Sequence, residues 1–170
     1  MTGYIKKGQK LVLASFIAML LIFLFSSSAC VCIPEGSLGM IGTVYEWTDA
    51  PAGAVSKIYI EYVVPDSDVK PTLKEMQENF TSDISTVPLG DVKIAIGLKE
   101  AIEKMGEEYY NLETDSATGG NFDDSWVTIP TRVQYLVKAN KLGYIEAVGE
   151  TEDVGLGTLV IIVIMVKDNK

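Results

Sequence analysis

Apolar and polar positions along this chain follow three patterns. From Leu11 to Phe25 the run LVLASFIAMLLIFLF carries no charge over fifteen residues. From Met40 onward a period of two takes over, the mark of half-buried strands. In MIGTVYEW, Ile41, Thr43, Tyr45 and Trp47 alternate with Gly42, Val44 and Glu46. In VSKIYIEYVV, Ile58, Ile60 and Tyr62 share one face, and Lys57, Tyr59 and Glu61 share the other. PLGDVKIAIGL repeats the pattern with Val92, Ile94 and Ile96. YYNLETD, SWVTIP and VQYLVKANKLGYIEAVGE continue it. The third pattern is the unbroken stretch Leu159–Val166, rich in Val and Ile. It is far short of the ~20 residues a membrane span needs, and it predicts a last strand buried on both faces.

Two segments break the alternation. In PDSDVKPTLKEMQENFTSDISTVP, Pro71 suits a helix start, and Leu73, Met76 and Phe80 fall at helical spacing. In KEAIEKMGEEYY, Ile102 and Met105 are expected inward, with Gly106 as the stop. Both are read as insertions. About seven strands with two short helical insertions, and no regular strand–helix alternation, predict an all-β, antiparallel sandwich.

Charge sets the orientation of the N-terminal run. Lys6, Lys7 and Lys10 precede it, and SSSAC follows it. A basic segment, an apolar run and a small-residue exit form a secretory signal or anchor. Residues 1–29 are therefore read as signal peptide or membrane anchor, 30–39 as a tether and 40–170 as the domain. Ser27-Ser28-Ala29-Cys30 resembles a lipoprotein box, with Ser27 where that pattern usually has Leu. This resemblance implies a lipid on Cys30. An uncleaved transmembrane helix over Leu11–Ala29 and simple cleavage with release are the alternatives. The first two place the domain on the extracytoplasmic face of a membrane. Cys32 is a tether residue of open role.

All 23 acids lie at or beyond Glu35, against 11 basic residues after Cys30, an excess of twelve negative charges. Such a surface repels a phosphate backbone, which argues against nucleic acid as a partner. No histidine is present, which excludes His-based triads and imidazole metal sites.

The stretch NLETDSATGGNFDDSW, from Asn111 to Trp126, gathers four carboxylates around a Gly-Gly turn. Gly119-Gly120 supplies positive φ, and Asp115 can close the turn on backbone N–H groups. Asp115, Asn121, Asp123 and Asp124 as calcium ligands are the alternative. No other metal site, no cofactor and no catalytic residue is assigned. Trp47, Trp126, Tyr109 and Tyr110 are candidates for a sugar-stacking platform. Asn79-Phe80-Thr81 fits a glycosylation sequon.

In order, GTVYEW, PLGDVKIAI, LETDSATGGNF and VKANKLGYIEAV resemble the carboxypeptidase regulatory-like, transthyretin-related β-sandwich. Gly42 and Val44 match its opening strand, Pro88, Leu89 and Val92 its second element, Thr114, Asp115, Gly120 and Phe122 its turn. Ala139, Gly143 and Tyr144 match the segment before the last strand. The departures are the long segment between Val44 and Pro88 and the helix-like segment after Ile96. The resemblance implies a transthyretin-like or Ig-like sandwich acting as a non-catalytic binding or structural module. The whole chain is then expected to be a membrane-tethered, lipoprotein-like surface protein with a protein or glycan partner. A carbohydrate-binding module of the cell envelope is the alternative, and an unrecognised hydrolase a further one.

Overall fold

The computed structural model describes residues 35–65, 67–130 and 132–168, and for residues 35–37, 111–112 and 125–130 the backbone alone. The apolar N-terminal run, Cys30 and Cys32 lie outside the described residues. Nine strands are present among them: β1 (Glu35–Trp47), β2 (Lys57–Val63), β3 (Thr86–Pro88), β4 (Lys93–Leu98), β5 (Tyr110–Asp115), β6 (Asn121–Pro130), β7 (Tyr135–Asn140), β8 (Ala147–Glu150) and β9 (Gly157–Met165). Two helices, α1 (Val69–Thr81) and α2 (Lys99–Met105), interrupt the series, with a 3₁₀ turn at Glu107–Tyr109.

The strands form two sheets, as the alternation requires. The first has the order β2-β9-β1, and the far edge of β1 is shared by β6 along Glu35–Thr43 and β3 along Tyr45–Trp47. The second has the order β5-β4-β7-β8. All pairings are antiparallel except one. β1 and β9 run parallel through nine consecutive partners, from Leu38↔Gly157 to Glu46↔Met165. The expected all-β sandwich is present in these two sheets; the expectation of an antiparallel arrangement of about seven strands is corrected by the parallel β1–β9 pair and the nine strands among the described residues.

Strand β9 is buried on both faces, and its parity divides two cores. Leu159, Ile161, Val163 and Met165 enter the space between the sheets, where they meet Ile94 and Ile96 of β4 and Val137 of β7. Val160, Ile162 and Ile164 enter a second core on the opposite face. That core exists because α1 lies across the first sheet. The Asp68 side chain caps α1 by accepting from the Lys70 N–H at 3.1 Å. Met76 is buried, Leu73 packs beside it, and the Phe80 ring stacks on Tyr59 with centroids 3.7 Å apart. The segment read as an insertion is thus a third layer over the sheet.

Two local expectations are corrected. Glu35–Gly39, assigned to the tether, belong to β1, because their backbone pairs with both Val127–Pro130 and the start of β9. Leu38 is buried in the inter-sheet core. Met105, expected inward, is 52% exposed, while Ile102 is half-buried, so α2 turns a narrower apolar stripe inward. The chain leaves α2 at Gly106 (φ 111°), as its position predicts.

Candidate functional site

The turn after β5 crosses from the second sheet to the first, so it is an arch between sheets rather than a hairpin. Ser116 closes it. Its hydroxyl accepts from the Val92 N–H and donates to the Leu89 carbonyl, both at 3.0 Å. Its backbone N–H donates to Val92 O at 2.9 Å, and its carbonyl accepts from Asp91 N at 2.8 Å. Gly120 (φ 78°) accepts from the Val44 N–H at 2.8 Å, and a Cβ there would stand 2.4 Å from Val44 O. Of the glycine pair, only Gly120 needs positive φ. Phe122 is buried, and its ring lies over Gly42, where an added Cβ would stand 2.5 Å from it.

The closing role expected of Asp115 therefore falls one residue later. Asp115 is exposed on the second sheet opposite Lys93, and among the described residues no hydrogen bond from its carboxylate is found. Asp123 and Asp124 sit on the first sheet, opposite Ile41 and Met40. Asn121 is engaged elsewhere: its Oδ1 accepts from the Thr43 hydroxyl at 2.9 Å, which accepts from Gln77 Nε2 of α1 at 3.0 Å. The four proposed calcium ligands are thus divided between two sheets, and among the described residues no group of three or more metal-capable side chains gathers.

The aromatic candidates are divided as well. Trp47 packs half-buried against the second core, and its Nε1–H donates to Asp49 at 2.8 Å. Tyr110 begins β5 of the other sheet, and Tyr109 ends the 3₁₀ turn just before it. The Trp126 side chain is outside the described residues. No planar strip joins Trp47 to the tyrosines.

Tyr110 does line a groove of about 500 Å³ on the outer face of the second sheet. The alternation of β4 makes its floor: Ile94 and Ile96 point into the core, so Ala95 points out, with Glu113 opposite on β5 and Lys138 opposite on β7. A small residue on the central strand between long side chains leaves a trough. Lys93 pairs with Glu113 at 2.6 Å. Lys138 pairs with Glu107 at 2.8 Å and Glu146 at 3.3 Å, and its ammonium lies 5.4 Å from the Tyr110 ring centroid. Burial pulls the Lys138 pKa down, but its bonds to both carboxylates outweigh this and it stands raised. Asn140 Nδ2 donates to Glu146 at 3.2 Å, and Lys141 Nζ donates to Gly90 O at 2.7 Å at the open end.

Neither a protein-family model nor a curated protein matches the sequence.

A second cleft, of about 680 Å³, lies beside α2 over Leu98, Ala101 and Val133. Its Lys99 is bonded to Glu150 at 2.9 Å, which raises the lysine pKa, and its Lys104 to Glu100. At the other end of the sandwich, Glu46 accepts from Lys167 at 2.7 Å and from the Tyr144 hydroxyl at 2.5 Å. These two bonds hold the Glu46 carboxyl below its ordinary range, while burial and Glu46 push Tyr144 up to about 12. Both arrangements tie segments of the fold together. The groove residues Ala95, Lys138 and Asn140 were missed from sequence. Their signal is parity: they are the outward positions of VKIAIGL and VKAN.

Proposed function

We propose that this chain is a membrane-tethered extracytoplasmic protein, lipid-anchored at Cys30, whose β-sandwich has a non-catalytic binding or structural role at the cell surface. The observation that carries the reading is the basic, apolar and small-residue series ending at Cys30, set before a two-sheet domain. Among the described residues, the buried members of both cores lie between Leu38 and Met165. The domain is of the carboxypeptidase regulatory-like, transthyretin-related type in this reading. Two sheets of mostly antiparallel strands support that, as do the parts taken by Gly42, Gly120, Phe122 and Tyr144 in packing them. A non-catalytic role is supported by Lys93, Lys99, Lys138 and Glu46, which are engaged in ties within the fold. The groove over Ala95 is the place where binding is to be sought.

The test is fractionation of cells making the full chain, followed by intact-mass analysis of the membrane form. The expected species begins at Cys30 and carries acyl chains, and Cys30→Ser abolishes the acylation. A membrane-bound species that begins at Met1 without acyl groups replaces the lipid with an uncleaved helix. A chain recovered only from the cytosol sinks the whole reading.

A further inference from the structure

We infer that the groove over Ala95 is a binding site for a neutral saccharide chain. The inference rests on the binding half of the function proposed above and is independent of how the chain is anchored. The groove has real depth. Lys138 stands on an outer strand face, yet its side chain is only 15% exposed. Strands lie ~4.8 Å apart, so the walls on β5 and β7 are about 10 Å from each other across β4. Along β4 the trough is floored by Lys93 and Ala95, roughly 7 Å apart at ~3.3 Å per residue. Past Ala95, Tyr109 O and the Ile102 side chain crowd Gly97 and bound it on that side. The other end, by Asp91 and Leu142, is open. This is a slot for one extended chain entering from that end.

The charges select the class of ligand. Asp91, Glu107, Glu113 and Glu146 stand against Lys93, Lys138 and Lys141, four acids to three lysines, and each lysine is within ion-pair distance of at least one of these acids. A charged ligand would have to break at least one of these pairs and strand the displaced group, which is costly in a partly desolvated slot. A hydroxyl donates and accepts at once, so it can bond to a lysine–glutamate pair without breaking it. The Asn140 amide adds a further donor and acceptor of the same kind. The half-buried Tyr110 ring supplies an apolar wall of the type against which a sugar's C–H face packs. A peptide is less suited. The floor strand β4 is already paired on both sides, with β5 and β7, so a peptide lying over Ala95 finds no free strand edge there to extend. The excess of twelve negative charges beyond Cys30 disfavours acidic glycans.

The experiment is saturation-transfer difference NMR on the full chain in phosphocholine micelles, which carry no sugar headgroup. The probes are maltohexaose, cellohexaose, chitohexaose and, as the charged comparison, hexagalacturonate. At least one neutral probe is expected to receive transfer, and hexagalacturonate none. Tyr110→Ala should weaken binding by roughly tenfold, the scale of one lost aromatic contact, while Tyr110→Phe retains it. Ala95→Leu fills the floor and should abolish transfer. Should that variant not fold, Asn140→Ala, on the exposed rim, is expected to weaken binding severalfold and serves in its place. Absence of transfer from every neutral probe overturns the inference. So does transfer only from hexagalacturonate, or binding indifferent to both the groove filling and the rim change. A chain that binds but is not membrane-tethered sinks the anchor and leaves the groove; a tethered chain that fails to bind sinks the groove alone.

Discussion

Replacing Gly120 with alanine isolates the arch between the sheets. The residue holds φ 78°, where an L side chain costs roughly 1–2 kcal/mol. The new methyl would also begin 2.4 Å from Val44 O and 3.1 Å from Leu89 N, both backbone atoms. Relief requires the arch to back away from β1, and that lengthens the 2.8 Å bond from Val44 N to Gly120 O. A net hydrogen bond is worth ~0.5–1.5 kcal/mol, so the expected loss is about 2–3 kcal/mol in all. Gly119→Ala is the internal control. Its φ is not positive, and the nearest atom to an added methyl is Asn121 Nδ2 at 3.8 Å. Its effect should stay within about 0.5 kcal/mol, or stabilise slightly by restricting the unfolded chain. Urea unfolding of the two variants reads the difference. With a slope of ~1–3 kcal/mol per molar, Gly120→Ala should lower the midpoint by about 0.7–3 M. Equal midpoints for the two alanine variants would refute the reasoning, because only the conformation of residue 120 and its contact with Val44 distinguish them.

Three further outcomes follow from the same geometry. Ile162→Ala should cost on the order of 2–5 kcal/mol, since Ile162 is fully buried beneath α1; a loss near zero in denaturant titration would mean that α1 does not roof the sheet. Asp115→Asn should leave the melting temperature unchanged, with melts in calcium and in excess chelator coinciding; a calcium-dependent rise that the substitution removes would restore the metal reading. Glu46 titrates below its ordinary 4.5 in the folded chain, chiefly through Lys167 and then Tyr144. As pH falls the unfolded chain takes up that proton first, so the contribution is whole above pH 4.5 and is lost as pH drops through the folded value. Glu46→Gln should flatten this acid limb in melts across pH 3–7 (approximate range); an unchanged slope would disprove the pairing.

Much of the strand content was legible because parity is a local property. The run Leu159–Val166 announced burial on both faces, and VSKIYIEYVV divided its faces as the two cores do. What covers a face is not local. The spacing of Leu73, Met76 and Phe80 marked a helix with one apolar stripe, yet the same stripe serves an excursion or a roof. Glu35–Gly39 read as a linker because Gly and Ser dominate it; its strand character comes from backbone pairing with partners far along the chain, Val127–Pro130 and Gly157–Thr158. Asp115 and Ser116 are both able to close a turn, and only the fold decides which one points inside. The groove was illegible for a different reason. An outward alanine carries no chemistry of its own and matters only through the long side chains that two other strands place beside it.

Parallel pairing of β1 with β9 has a mechanical consequence. A pull applied at the Glu35 end of β1, against a hold at the Met165 end of β9, draws the two strands lengthwise past each other. Every rung from Leu38↔Gly157 to Glu46↔Met165 then shares the tension at once, whereas an antiparallel pair pulled at its open end would unzip rung by rung. The antiparallel partners along the other edge of β1 add to the grip. A domain built this way should stay folded under steady drag and then yield in a single abrupt rupture, with the far end of the sandwich undisturbed until it does.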